Sequence, residues 1–391
     1  MRIGWIVPGY QGSGHEPGIP SLTLLAQELA RENDLHVFAV RFPTRRLTYA
    51  VDGVPVTAFG TGPVQGNRFQ WRAASVARWA RVLRALQLEH RRAPFAVLHG
   101  FWATESGMLA CAAGRLLGIP VVVSVCGGEL ASVHTVGYGN RRNRLERTQI
   151  ALTLHLAQVI GVGSEDARLR LAARYPWLSG KVASLPLGFD PALFGPATGA
   201  PSAQRIVSVA SWSPVKGHAL LLDAVRLVRD WGIPVRLLLV GERTDGFEAR
   251  QAVAARTLED CVDLLGYQPQ ARMAEVIGGA RVSVIASWHE AQCLAVVESL
   301  ARGVPVVSTP VGIARTLLTD PRLGLIVPNR TPVRMAEALR RILESADNNM
   351  AADRALRAQS VADLAGPSVA ARFQLCYARL VEGREDGMAA P

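Results

Sequence analysis

The residues SWHEAQCLAVVESLARGVPVVST, numbers 287–309, predict a helix that leads into a short buried strand. The segment Gly303-Val304-Pro305 ends the helix, and Val306-Val307 begins the strand. Apolar side chains near the 3.6-residue helical period give the helix one apolar stripe, formed by Leu294, Val297, Leu300 and Ala301.

Two carboxylates, Glu290 and Glu298, stand eight residues apart around the start of this helix. If both were helical they would lie ~12 Å apart, too far for the carboxylate pair of a glycoside hydrolase, which needs about 5 to 9.5 Å. Each can accept two hydrogen bonds from a vicinal diol. We interpret them as holding two parts of one elongated ligand with two sugar rings. The alternative is that one or both are solvated acids on a helix surface.

Short apolar strands and helices alternate along both halves of the chain, which predicts two doubly wound parallel-sheet domains. The Pro/Gly-rich segments 185–190 and 195–201 predict the linker between them. An apolar helical face over 368–382 predicts a terminal helix. The predicted strands are 3–7, 35–40, 96–98, 120–125 and 159–162 in the first half, and 206–209, 235–240, 262–264, 282–285, 304–307 and 325–327 in the second.

The segment SVASWSPVKG, numbers 208–217, predicts a strand followed by a helix that begins at Ser213 and Pro214. Lys216 would then lie in the first helical turn, where a cation is unfavourable unless an anion binds beside it. Backbone N–H groups and the ammonium would converge on a diphosphate. The alternative is an exposed helix lysine.

The amino-acid composition excludes several classes of protein. The 391 residues, 49% of them hydrophobic, suffice for two cores. Five scattered cysteines without a C-x-x-C pair argue against a disulfide framework and against a zinc site. No run of 18 apolar residues appears, and the first apolar run is too short for a secretory signal. The net charge of +11 favours anionic partners, but no aromatic-interleaved basic motif predicts nucleic-acid binding.

The motif around Glu290 and Glu298 resembles the donor site of retaining GT-B glycosyltransferases of family 4, where two glutamates precede a Gly-x-Pro-Val strand. The resemblance extends over nearly the whole chain and is strongest from about 205 to 328. It implies a GT-B fold, with two Rossmann-like doubly wound domains facing a central cleft. We expect an acceptor-side domain over 1–186, a nucleotide-sugar donor domain over 187–367, and a C-terminal helix over 368–391 that crosses back to the first domain.

By position, the resemblance implies that Glu290 contacts the transferred sugar, that Glu298 contacts the ribose and that Lys216 contacts the diphosphate. It also implies that Glu290 and Lys216 are the catalytic residues. Two departures concern this site. Gln292-Cys293 stand where the family has Phe-Gly, and Gly312 is not followed by the usual glycine and glutamate. The remaining donor-binding candidates are Ser211, Gly217, Gly18, Gly312, Gly266 and Tyr267.

Ser211 stands where the family has a second phosphate-binding cation. Ser211 itself, Arg243 or backbone amides near Gly312 are candidates to replace it. Gly18 belongs to a glycine cluster that does not form a G-x-G-x-x-G fingerprint, which disfavours a nicotinamide or flavin site.

On the acceptor side, Cys126 and Gly127 stand where the family has His-Gly near the reacting sugar. A thiol is a weak hydrogen-bonding group and replaces histidine poorly. The candidates to supply the missing function are Glu129, His99, His134 and His15.

No residue stands out as a nucleophile, and the resemblance implies attack on the face from which the diphosphate departs, with the leaving group as base. The chain contains no Asp-x-Asp triplet, so we expect neither a metal nor a cofactor besides the nucleotide sugar. We expect the acceptor to be a hydroxyl of a small molecule, a lipid-linked compound or a glycan. The alternative function is a catalytically idle GT-B scaffold that binds a nucleotide sugar or a partner protein.

Residues 68–92 predict a helix with an apolar stripe flanked by arginines. Such a stripe is either core or a contact with an anionic membrane. The scattered cysteines fit a reducing cytosol, so we expect a cytoplasmic protein, and the stripe suggests weak, salt-sensitive peripheral contact at the inner membrane face. The stripe consists of Trp71, Val76, Trp79, Leu83 and Leu86, and its flanking arginines are Arg72, Arg78, Arg81 and Arg84.

Overall fold

The computed structural model describes residues 1–12, 18–61, 68–199, 202, 204–345 and 350–388. It contains two α/β domains, each built on one sheet. The strand order is β3-β4-β2-β1-β5-β6-β7-β8 in the first domain and β11-β10-β9-β12-β13-β14 in the second. Every strand pair is parallel except β3 with β4.

In the first domain, the central strands β5 and β6 are fully buried because helices cover both faces of the sheet. Its elements in chain order are β1 (Arg2–Gly9), α1 (Pro20–Ala30), β2 (Asp34–Phe42), β3 (Leu47–Val51), β4 (Val54–Ala58), α2 (Arg68–Arg92), β5 (Val97–Phe101), α3 (Glu105–Leu117), β6 (Val121–Val125), α4 (Arg144–Leu156), β7 (Val159–Val162), α5 (Glu165–Arg174) and β8 (Val182–Ser184).

The second domain repeats this arrangement on a smaller sheet. Its elements are α6 (Pro191–Phe194), β9 (Arg205–Val209), α7 (His218–Asp230), β10 (Arg236–Val240), α8 (Phe247–Ala254), β11 (Val262–Gly266), α9 (Gln270–Gly278), β12 (Val282–Ile285), α10 (Leu294–Ala301), β13 (Val306–Ser308), α11 (Ala314–Leu317), β14 (Gly324–Ile326), α12 (Pro332–Leu343) and α13 (Met350–Gln359); the last helix, α14 (Gly366–Met388), follows.

Every strand predicted from the sequence is present, and three further strands were not predicted. The hairpin β3–β4 turns at Asp52 and Gly53, whose φ angles are 48° and 82°. Asp-Gly favours such a turn because both residues tolerate positive φ. The short edge strand β8 pairs in parallel with β7.

Helix α14 packs on the first domain, against α1. Its Phe373 and Tyr377 are fully buried in the core of that domain, together with Trp5 and Phe101. The two crossings of the chain between the domains run side by side. Phe189 donates its N–H to Leu364 O at 3.2 Å and accepts from Gly366 N at 2.9 Å. The domain boundaries expected at 186 and 367 stay predictions.

The apolar stripe of α2 belongs mainly to the core. Leu86 is fully buried, and Trp79 and Leu83 pack against the first-domain core, whereas Val76 is 70% exposed. The side chain of Trp71 lies outside the described residues. The stripe is therefore not a free lipid-binding face, and membrane contact stays a prediction. No helix in the part of the chain that the structure describes has the length and apolarity needed to cross a bilayer.

We predict that the Tyr377 hydroxyl anchors α14. Its Oη accepts from Trp5 Nε1 at 3.2 Å and lies 2.6 Å from His99 Nδ1. Tyr377→Phe leaves both buried nitrogens without this partner, so we expect the free energy of unfolding to fall by about 1–3 kcal/mol. Urea unfolding measures the change. Tyr267→Phe, at a side chain that is 53% exposed, is the control and should change stability by less than about 0.5 kcal/mol. Equal effects of the two substitutions would contradict the anchor.

Candidate functional site

A cavity of about 230 Å³ lies at the carboxyl ends of β9 and β12, beside the start of α10. This is the edge of an open parallel sheet at which ligands bind in α/β proteins. Three predicted site residues line the cavity together: Lys216, Glu290 and Glu298.

Lys216 reaches the cavity from a 3-10 turn, Pro214–Lys216, that precedes α7. The turn ends at Gly217 with φ 70°, and a Cβ there would lie 2.1 Å from Ala286 O. A glycine is therefore needed for this loop to approach the end of β12. The predicted helix start was wrong, because α7 begins at His218 and Lys216 is not in its first turn.

Glu290 lies in the loop before α10, so the two glutamates do not share a helix. Its Oε1 accepts from Lys216 Nζ at 2.7 Å and from Ser287 Oγ at 2.6 Å. Burial lowers the pKa of Lys216, but the charge of Glu290 and the hydrogen bond between them outweigh it and raise that pKa overall. The ammonium thus stays charged and keeps N–H donors for another anion.

Glu298 projects from α10 and is only 7% exposed. Among the described residues, its carboxylate has neither an ion-pair nor a hydrogen-bond partner. Burial raises its pKa to about 7. A buried carboxylate without a protein partner, lining a cavity, is suited to bind hydroxyls of a ligand.

The loop that carries Glu290 is hydrogen-bonded to the first domain and to the linker. His289 Nε2 lies 3.3 Å from Gly127 O, and Ser164 Oγ donates to Ala291 O at 2.5 Å. Gln292 makes two hydrogen bonds with the backbone of Leu187, one to its N–H and one to its carbonyl, both at 2.7 Å. A side-chain amide is needed for this pair, which gives a physical role to the residue where the resembling family has phenylalanine.

Across the cleft, Glu129 organises the loop after β6. Its carboxylate accepts from the N–H groups of Gly127 at 2.7 Å, Ala103 at 3.1 Å and Cys126 at 3.3 Å, and it is fully buried. Burial raises its pKa, although these hydrogen bonds oppose the change. Glu129 therefore shapes the loop, and its oxygens are occupied by backbone donors rather than free to replace the missing histidine.

The histidine candidates do not gather at the cleft. His99 is fully buried on β5 and bonded to Ser124 and Tyr377, and burial lowers its pKa to about 3. The candidacy of His99 is thus corrected, because it is a neutral core residue. His134 is exposed on a 3-10 turn with Ser132 Oγ at 3.2 Å. His15 lies outside the described residues. Burial raises the pKa of the Cys126 thiol and keeps it neutral.

The other donor candidates do not line the cavity. Gly312, with φ 48°, packs against Gln292 O. Gly266 ends β11 and accepts from Gly241 N at 2.9 Å, with the exposed Tyr267 beside it. Gly18 packs on the backbone of Gln11. Ser211 lies past the end of β9, where its carbonyl oxygen lies 3.1 Å from His218 Nε2.

Arg243 does not replace the missing cation within the cavity. It is exposed and forms an ion pair with Glu248 at 3.0 Å. Among the described residues, no group of three or more His, Cys, Asp and Glu side chains is arranged to hold a metal ion.

Two residues that the structure brings to the cleft were not among the predicted site residues. His289 bridges to Gly127, and its ring lies 5.9 Å from that of Tyr138. The position of His289 next to Glu290 was a signal for it, whereas Tyr138 belongs to an irregular segment with no periodic pattern. Burial lowers the pKa of His289, which keeps it neutral.

Two family models cover most of the chain. The model described as glycosyl transferase 4-like domain matches residues 20–188, and the one described as glycosyl transferases group 1 matches residues 203–345. The fold is similar to sucrose-phosphate synthase from Thermosynechococcus elongatus, with a TM-score of 0.75 at 19% identity over 98% of this chain and 99% of that one. Anabaena HepE in complex with UDP-glucose gives a TM-score of 0.71 at 16% identity over 97% and 99%. These likenesses define the GT-B fold.

A D-inositol 3-phosphate glycosyltransferase from Frankia alni is 30% identical over 318 residues, which is 74% of this chain and 76% of that protein. The chain therefore belongs to the GT-B glycosyltransferases of family 4. Two further relatives match over less of their length. The match covers 42% of a D-inositol 3-phosphate glycosyltransferase from Segniliparus rotundus, at 29% identity over 45% of this chain. It covers 61% of the putative glycosyltransferase EpsF from Bacillus subtilis, at 29% identity over 60% of this chain.

We predict that Glu298 makes stability depend on pH. With its pKa raised from 4.5 to about 7, the folded state binds this proton more tightly than the unfolded chain, so stability is lost as pH rises between those values. Glu298→Gln removes the free-energy cost of burying an ionised carboxylate, so the variant should be more stable than wild type by about 2–3 kcal/mol at pH 8. The difference should shrink towards zero as pH falls to about 4.5.

Urea unfolding at both pH values measures the difference, with Glu344→Gln at an exposed position as control. A Glu298→Gln protein that gains no stability at pH 8 would show that the carboxylate is solvated and not buried.

Proposed function

We propose that the protein is a retaining glycosyltransferase that moves a sugar from a nucleoside-diphosphate sugar to an acceptor hydroxyl without a metal ion. The observation that carries this proposal is the cavity in which the Lys216–Glu290 ion pair lies beside Glu298, whose carboxylate has no protein partner in the part of the chain that the structure describes. It offers a cation for phosphate and two carboxylates for the hydroxyls of two sugar rings.

In the proposed reaction, the bond between the anomeric carbon and the diphosphate oxygen breaks, and the acceptor oxygen bonds to that carbon from the same face. The electron pair of the broken bond leaves with the diphosphate, whose oxygen takes the acceptor proton. Lys216 stabilises the negative charge that develops on the leaving group. Glu290 holds hydroxyls of the transferred sugar, and because Lys216 and Ser287 fix its Oε1, the carboxylate is oriented before the ligand binds.

Glu298 would accept from the ribose hydroxyls. A diol that donates to the carboxylate favours its ionised form, so donor binding would lower the pKa that burial raises. Gly266 and Tyr267 extend the same sheet edge and are our candidates for the base end of the nucleotide. Gly18 would face the phosphates across the cleft.

Related proteins support the ligand class. Structures of Anabaena HepE hold UDP, UDP with glucose, and UDP-glucose. The absence of an Asp-x-Asp triplet from the sequence supports metal independence, and we propose no cofactor besides the nucleotide sugar. Weak contact with anionic membranes rests on the net charge of +11 and belongs to the same proposal.

A panel of UDP-, GDP- and dTDP-sugars, screened by thermal shift and then by release of nucleoside diphosphate, tests the proposal. Stabilisation by one donor together with its turnover supports a transferase. Stabilisation without hydrolysis or transfer with any acceptor would favour the idle scaffold. No stabilisation by any nucleotide would refute the assignment of the cavity.

We predict that Lys216→Ala lowers kcat/KM by the equivalent of ~2–4 kcal/mol, because it removes a charge-assisted contact that strengthens as the diphosphate leaves. Steady-state kinetics with the donor found in the panel measures the loss. The matched control is Lys181→Ala, at the other lysine of the chain, which bonds to the carbonyls of His155 and Ala157. Activity of Lys216→Ala within about threefold of wild type would place the phosphate elsewhere.

For Glu290→Gln, we predict a lower kcat with little change in affinity for the free nucleoside diphosphate, because Glu290 faces the transferred sugar. The amide keeps the shape of the side chain but loses its charge toward Lys216. Calorimetry with the diphosphate alone separates binding from turnover. If Glu290→Gln lost diphosphate binding and Glu298→Gln kept it, the two ends of the donor would be reversed.

A further inference from the structure

Cys293 combines a strained backbone with a place in the cavity of Lys216. It lines that cavity and is only 7% exposed. Its φ is 76°, in the left-handed region that glycine adopts readily and that a side chain makes unfavourable. Of the five non-glycine residues with such a φ in the described part of the chain, Cys293 is the one that lines this cavity. Strain of this kind is typical of functional sites, which indicates a function for the side chain.

The neighbouring loop leaves room for the cysteine. A Cβ added to Gly312 would lie 3.3 Å from the Cβ of Cys293 and 2.3 Å from Gln292 O, so residue 312 can carry no side chain. Ile313 N donates to Gln292 O at 2.8 Å, which holds this loop beside the start of α10. The cysteine side chain is thus fixed between the Gly312 loop and the cavity.

The Cys293 thiol is surrounded by the charged groups of the site. Burial raises its pKa, the Glu290 and Glu298 carboxylates raise it further, and the Lys216 ammonium opposes them. The thiol is therefore neutral, and a buried neutral thiol is neither a nucleophile nor a metal ligand. What it contributes to the cavity is its volume.

A ligand in this cavity would pass Cys293. Glu298 indicates that the cavity has a ligand, because its carboxylate is buried, with only 7% of the residue exposed, and has no partner among the described residues. In the proposed function, Glu298 binds the ribose and Glu290 binds the transferred sugar, so the diphosphate lies between them. Cys293, whose thiol interacts with both carboxylates, then faces the diphosphate and the adjoining edge of the sugar. The ring carbon next to the anomeric centre, C2, is at that edge.

Space at that edge is limited. The cavity volume of about 230 Å³ is below the ~300–1,000 Å³ of ordinary ligand pockets. A hydroxyl at C2 is small, whereas an acetamido group at C2 is a planar amide with a methyl group. The side chain of Cys293 occupies volume that this amide would need, and glycine in its place would free that volume.

We propose that Cys293 is a specificity-determining residue, which restricts the donor to sugars with a hydroxyl and not an acetamido group at C2. The inference rests on the proposed function, because it names the class of sugar that the transferase moves. A cysteine that only packs would affect the stability of the protein and leave the donor preference unchanged.

The experiment is calorimetry with donors that differ only at C2. UDP-glucose is compared with UDP-N-acetylglucosamine, and UDP-galactose with UDP-N-acetylgalactosamine. If GDP binds and UDP does not, GDP-mannose and GDP-N-acetylmannosamine form the pair. We expect the wild-type protein to bind the hydroxyl donor of a pair about tenfold more tightly than the acetamido donor, or to bind the hydroxyl donor alone. Equal affinities, or a preference for the acetamido donors, overturn the proposal.

Two substitutions separate the side chain from the backbone strain. Cys293→Ala removes the sulfur and keeps the strain, whereas Cys293→Gly removes both. We expect the preference to fall to within about threefold in Cys293→Gly and to take an intermediate value in Cys293→Ala. Thr257→Gly, at an exposed residue with φ 53° outside the cavity, is the matched control. It relieves the same kind of strain and should leave the wild-type preference unchanged.

Circular dichroism shows whether each variant is folded, and Cys293→Ala carries the test if Cys293→Gly is not. A preference that stays at the wild-type value in the folded variants overturns the proposal. Titration with UDP and GDP alone tests the donor cavity by itself. Binding of neither refutes the proposed function, whereas nucleotide binding without discrimination at C2 refutes the role of Cys293 alone.

Discussion

The attachment of residues 289–292 to the first domain and the linker is the constraint on which the geometry of the site depends. Glu290 belongs to the second domain by sequence, yet its neighbours His289, Ala291 and Gln292 bond to Gly127, Ser164 and Leu187. Lys216 reaches Glu290 from within the second domain. The carboxylate is therefore positioned from both sides, and its orientation follows the relation between the domains. Coupling of this kind assembles a site only when the domains approach each other.

Glu129 plays the corresponding part on the other side of the cleft. Three backbone N–H groups from two separate loops converge on its carboxylate, which satisfies donors that the ends of β5 and β6 leave unpaired. A buried charge with several hydrogen bonds is costly to place but specifies one loop conformation. The resulting loop places Gly127 O 3.3 Å from His289 Nε2 of the second domain.

Much of the architecture could be predicted because buried parallel strands leave short apolar runs in the sequence. The hairpin β3–β4 was missed although its Asp52-Gly53 turn was a usable signal. The structure brings Glu290, Glu298 and Lys216, which their motifs singled out, to one cavity. The 3-10 turn that carries Lys216 could not be predicted, because it depends on the contact of Gly217 with Ala286, and these residues lie far apart in the chain. His99 was misread for the same reason, because one residue type serves in cores and in sites, and only its surroundings distinguish the two roles.

The side-by-side crossings at Phe189 and Gly366 have a mechanical consequence. One connecting segment would let the domains rotate about any axis. Two connecting segments that are hydrogen-bonded to each other instead favour rotation about the axis that runs along them. Rotation about that axis changes few backbone angles, while twisting across it would break the bonds of Phe189 with Leu364 and Gly366. Opening and closing of the cleft is thus reduced to one degree of freedom. A rotation of that kind would separate His289 from Gly127 and bring them together again along one path.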